Sequence, residues 1–104
     1  MTPQEKIVEI ESVLGDIQPE VYYDLLEKLG DIKRNYWDYM TTEPINCNVE
    51  LKRLDTANYE LCTALLTMLL REDHFCNGTF WEHDKNGDIH AILKRMIIAL
   101  DGEE

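Results

Sequence analysis

Four carboxylates, Glu20, Asp24, Glu27 and Asp31, follow one another at intervals of four, three and four residues. On a helix this spacing sets them in one stripe beside the apolar face. Four residues rise about 6 Å along a helix, close to the few ångström to about 7 Å that separate phosphates along a nucleic-acid strand. Like charges at i,i+4 each cost a few tenths of a kcal/mol, roughly, so a stripe hints at use. Three readings compete: a solvated helix face, mimicry of a nucleic-acid backbone that occupies a basic site on another protein, and a set of Mg²⁺ ligands as in helical nucleotide pyrophosphatases. The last needs carboxylates from two or more helices converging on a cleft. Paired E-x-x-E and E-x-x-D motifs at the separation such sites use do not occur. Glu5, Glu9 and Asp16 make a looser stripe on the preceding helix.

A second patch is aromatic. Tyr36, Trp37 and Tyr39, with Met40, cluster just before the Pro44 loop. With Ile32, Tyr36 and Met40 facing inward on a helix, Trp37 points partly outward beside Lys33 and Arg34. Exposed Trp and Tyr next to Arg are residue types that anchor protein interfaces. The competing reading packs the same rings between the helices.

The remaining reactive residues do not assemble into a known site. Asp84, Asn86 and Asp88 occupy the first, third and fifth positions of an EF-hand loop, but Ile89 stands where Gly makes the sharp turn and Arg95 where a bidentate Glu is needed. Asn86-Gly87 followed by a capping Asp88 explains the stretch. His74, Cys76, His83 and His90 lack the tight pairs of structural zinc sites. His83-Asp84 matches metal phosphohydrolases only in that dipeptide. The single serine, Ser12, sits in an amphipathic helix without a nucleophile elbow, and no phosphate-cradling glycine loop is encoded. Cys62 lies in the most apolar helix, where burial raises a thiol pKa.

The charge narrows the partners. The chain has 104 residues and a formal net charge of −11. The excess is even: six basic and eleven acidic residues over 1–54, four and ten over 55–104. Direct contact with nucleic acid is disfavoured, because that contact relies on Lys and Arg neutralising phosphates. A basic protein partner is favoured, with plain solubility as the alternative. The amino-terminal residues lack the basic and apolar regions of a signal peptide, and no apolar run approaches the roughly 18 residues of a membrane span. Three cysteines at uneven spacing read as reduced thiols. The expectation is a cytoplasmic protein with no cofactor and no membrane contact.

Several elements are predicted to position these patches. Thr2-Pro3-Gln4-Glu5 is a helix start with a capping box, followed by Ile7, Ile10, Val13 and Leu14 at helical spacing and a stop at Gly15. A second helix runs from about Pro19 to Leu29 and ends at Gly30, forming an antiparallel hairpin with the first. Asp31 to Met40 reads as a third helix capped by Asp31, with an extended segment left open. Thr41 to Asn48 is loop, and Asn48 to Leu51 begins a short helical turn. Residues 55–72, capped by Asp55, form the longest and most apolar helix. The pattern breaks around Asn77-Gly78, and Asp88 caps a last helix bearing Ile89, Ile92, Leu93, Met96, Ile97 and Leu100.

The segment from Leu61 to Leu100 carries Leu65-Leu66, Leu69-Leu70-Arg71, Phe75-Cys76-Asn77-Gly78, Asn86-Gly87-Asp88-Ile89 and Ile92-Leu93-Lys94-Arg95. It resembles the C-terminal part of a family of small bacterial domains without an assigned function. The resemblance covers roughly forty residues, leaves the first half unmatched, and implies a helical fold and no activity.

The reading is therefore all-α: a single domain over 1–104, a bundle of four to five helices around residues 55–72. The expected function is a non-enzymatic acidic module that binds a basic protein, an inhibitor or regulator from a phage or mobile element, through Glu20, Asp24, Glu27 and Asp31 and through Tyr36, Trp37 and Tyr39. The alternative is a small metal-dependent nucleotide-handling enzyme using helix carboxylates. A homodimer that pairs apolar helices is a third option.

Overall fold

At the start of the chain, the Thr2 hydroxyl accepts from the Glu5 N–H at 3.2 Å while the Glu5 carboxylate accepts from the Thr2 N–H at 3.3 Å. This reciprocal box, with proline next in the chain, opens helix α1 at Pro3–Ser12. The computed structural model describes residues 2–14, 19–33, 35–75 and 85–102. Helix α2, Pro19–Leu29, closes on Gly30 at φ 75°, where a left-handed turn lets the Asp31 N–H reach the Leu26 carbonyl and the Gly30 N–H reach that of Glu27.

Three contacts fix the hairpin. Tyr22 Oη donates to the Val13 carbonyl at 3.2 Å, Lys28 pairs with Glu9 at 2.8 Å, and Lys6 pairs with Asp31 at 2.8 Å. Later residues of the second arm meet earlier residues of the first, so the arms are antiparallel as expected.

The structure corrects the third predicted element. Residues 31–33 are irregular, and a single 3-10 turn spans Tyr36–Tyr39. Asp31 is not a cap, because its carboxylate is taken by Lys6 and Tyr59, and the Lys33 N–H goes to Thr67 Oγ1 at 3.3 Å. These long-range bonds divert groups that a local helix would use. The inward set still holds: Ile32, Tyr36 and Met40 pack against the core.

Helix α3, Cys47–Leu51, is capped by Asn46, whose side chain accepts from the Val49 N–H at 3.2 Å. A second 3-10 turn spans Leu54–Thr56. The long helix α4 begins later than expected, at Tyr59, and runs to Phe75. Its cap is Asn58, which accepts from the Leu61 N–H at 2.8 Å, not Asp55, which lies in the 3-10 turn. The intervening Ala57 is extended, and its carbonyl accepts from Arg95 Nε at 2.9 Å. The extended backbone at Ala57 turns this carbonyl out of the α4 ladder and toward the last helix.

Every residue from Cys62 to Leu70 is buried, so α4 is enclosed all round. Its two buried threonine hydroxyls donate within the helix: Thr63 to the Glu60 carbonyl and Thr67 to that of Thr63, each at 2.8 Å. Helix α5, Asp88–Asp101, follows Gly87 at φ 84°. Asp88 is its first residue rather than its cap, with the carboxylate in the first turn, where the helix dipole favours it. Ile89, Ile92, Leu93, Met96 and Leu100 are buried, and α5 packs on both α1 and α4. Each such side chain contributes about 1.5–3 kcal/mol of burial.

Among the described residues there are five α-helices and no strand. The Cα radius of gyration, 12.6 Å, is near the roughly 13 Å of a compact 100-residue unit. None of the described helices is long and apolar enough to cross a membrane.

Candidate docking surface around Trp37

Helix α2 buries Tyr22, Leu25, Leu26 and Leu29, and this fixes what its other side presents. Glu20, Asp24 and Glu27 are exposed. Asp31 leaves the stripe. It lies past the helix end, partly buried, with Lys6 Nζ at 2.8 Å and Tyr59 Oη at 2.5 Å on the same oxygen, Oδ2. Burial alone would raise its pKa, but the bonds from Lys6 and Tyr59 outweigh it and hold the carboxyl below its ordinary value. The Lys6 ammonium also stands 5.1 Å from the Tyr59 ring centroid, within cation–π range. Asp31 thus ties α1 to the start of α4, and three of the four predicted acids remain on the surface.

The aromatic patch divides in the same way. Trp37 is 57% exposed. Its ring meets Tyr36 edge-on, with centroids 5.5 Å apart and planes at 75°. Tyr39 is half-buried, and its carbonyl accepts from Arg53 Nη1 at 2.7 Å. Lys33, expected beside Trp37, turns its ammonium to Glu60 instead. Arg34 lies outside the described residues.

Two clefts flank the indole. The first, of about 270 Å³, is lined by Tyr23, Glu27, Ile32, Tyr36, Trp37, Thr67 and Arg71. It joins one predicted acid to two predicted aromatics. The second, of about 430 Å³, is lined by Trp37, Met40, Thr41, Thr42, Glu43, Pro44 and Ile45. Asp24 faces elsewhere, into a shallow groove shared with Glu9, Ser12 and Lys28 between α1 and α2.

The family model described as "Family of unknown function (DUF6508)" matches residues 7–100. The chain belongs to this family. The match takes in the first half as well, so the likeness is not confined to the C-terminal segment. No curated protein and no solved structure matches the chain.

In this DUF6508 chain, the wall of the second cleft rests on a residue that sequence reasoning missed. Glu50 on α3 is fully buried. Its carboxylate accepts from the Thr41 N–H at 3.0–3.1 Å, the Thr42 N–H at 3.0 Å, the Thr41 and Thr42 hydroxyls at 3.0 and 2.7 Å, and Arg53 Nη1 at 2.9 Å. Burial pushes its pKa up, yet the Thr42 hydroxyl, the Thr41 N–H and Arg53 together bring it to about 2. Arg53 Nη1 also holds the Tyr39 carbonyl, so one carboxylate and one guanidinium staple both ends of the 39–42 segment. The available signal was Thr41-Thr42 upstream of a Glu with Arg three residues on.

Burial pushes the Cys62 thiol up to about 11, with Arg95 opposing weakly, which suits a core filler. His90 is exposed on α5. Cys76, His83, Asp84, Asp16 and the His74 side chain lie outside the described residues. Among the described residues no three His, Cys, Asp or Glu side chains come together as a metal site would need.

Proposed function

We propose that this chain is a non-enzymatic protein-binding module. It docks a basic partner through Glu20, Asp24 and Glu27 of α2 and through Trp37. The observation that carries this reading is that Glu27 and Trp37 line one cleft. An exposed carboxylate thereby adjoins an exposed indole, a combination in which charge steers encounter and an aromatic anchor holds it. The net charge of −11 supports the same sign of partner.

In its finer form, the module is a phage or mobile-element inhibitor or regulator working in the cytoplasm, and it occupies a basic surface that otherwise holds nucleic acid. A competition experiment tests this. Basic proteins captured from the native host are loaded with labelled oligonucleotide, and the chain is titrated in. Displacement that weakens between about 50 and 500 mM salt supports the reading, since exposed charge pairs are screened over that range. Salt-insensitive binding, or binding that leaves the oligonucleotide in place, refutes the mimicry.

A further inference from the structure

The two clefts share Trp37, and each carries one exposed glutamate beside an apolar or aromatic wall: Glu27 in the first, Glu43 in the second. A cation seated in either would find a carboxylate and the indole together, and cations are attracted to a Trp face within about 6 Å. Arg71 also borders the first cleft, whereas Glu43 is the one charge in the described lining of the second. The second cleft is therefore the stronger cation site.

We infer that the surface around Trp37 takes a basic segment of a partner protein, with its arginine or lysine side chains seated beside the indole. This rests on the binding-module reading and names its ligand. Charge complementarity selects the occupant, since the chain carries a net charge of −11 and Glu43 is the one charge in the described lining of the second cleft. The second cleft is also prepared in advance, because Glu50 and Arg53 pin residues 39–42 beneath it, so little ordering is needed on binding.

The test titrates the full chain, labelled with ¹⁵N, with a nona-arginine peptide and with its uncharged citrulline counterpart. Nona-arginine should move the Trp37 indole signal, assigned by its loss in Trp37→Phe, together with the amides of Glu27 and Glu43. Trp37→Ala should weaken binding about tenfold or more, as expected for an interface anchor. Trp37→Phe should retain most of the affinity, and the Glu27→Gln, Glu43→Gln double variant should lose it while keeping wild-type helical content. Equal binding of the citrulline peptide overturns the inference. So does wild-type affinity in Trp37→Ala alongside lost affinity when Glu20, Asp24 and Glu27 are reversed, an outcome that leaves the binding-module reading standing. No binding of nona-arginine to the wild-type chain at low salt overturns both.

Discussion

The Thr42 hydroxyl donates to the Glu50 carboxylate at 2.7 Å, and that carboxylate is wholly buried, whereas the other acids among the described residues mostly face water. The bond closes a loop of nine residues onto a five-residue helix too short to stand alone. Because the Glu50 pKa is depressed from 4.5 to about 2, the unfolded chain binds the proton more readily than the folded one. The stability this site contributes is complete above about pH 4.5 and is lost as pH falls toward about 2. Thermal melts across that window should show the melting temperature falling with pH, and Glu50→Gln should flatten the slope. At pH 7, Glu50→Ala should cost about 2–3 kcal/mol by urea denaturation, because it orphans several buried donors.

Asp31 gives a smaller effect in the same direction. Its folded pKa is also depressed, so its contribution is present above the ordinary aspartate value and is lost in acid. Asp31→Asn removes the charge that Lys6 and Tyr59 share, at a site partly open to water. A destabilisation of about 1 kcal/mol is expected, read as a lower urea midpoint with an unchanged slope.

Reversing Glu20, Asp24 and Glu27 to Lys should abolish binding to a basic partner without unfolding the chain. Each side chain is exposed, and the three reversals bring the net charge from −11 to −5. Surface changes of this kind usually shift stability by less than about 0.5 kcal/mol apiece. Circular dichroism checks the fold and calorimetry the affinity. Unchanged affinity would clear α2 of any part in docking.

Divalent cations discriminate the alternative chemistry. A binding module should show the same melting temperature with and without micromolar Mg²⁺, Mn²⁺ or Zn²⁺. Tight binding to the folded state would raise it, since a ligand at about 100 times its Kd adds about 2.7 kcal/mol. Such a rise would favour the carboxylate–metal reading over the one proposed.

The cap of the central helix offers a test of the fold. Asn58→Ala should cost about 1 kcal/mol, whereas Asp55→Ala should be nearly neutral. The Asn58 side chain accepts the Leu61 N–H, and Asp55 lies outside the helix. Paired urea titrations of the two variants decide it.

Periodicity alone determined the helices whose ends are written in local chemistry. The capping box at Thr2 and Glu5, the Gly30 stop, and the apolar spacing of α2, α4 and α5 needed no neighbour to be read. The exposure of Trp37 and the inward set Ile32, Tyr36 and Met40 were legible too, because they follow from which side of the segment is apolar. Only the tertiary structure decided the segments between helices. There, polar groups have several partners of similar strength, and the choice falls to residues far away in the chain. Asp31 went to Lys6 and Tyr59 rather than to a cap, Ala57 gave its carbonyl to Arg95 and moved the start of α4, and Glu50 turned inward to Thr41, Thr42 and Arg53. A charged side chain reads as surface until the fold supplies enough donors to bury it, and those donors are brought together only by packing.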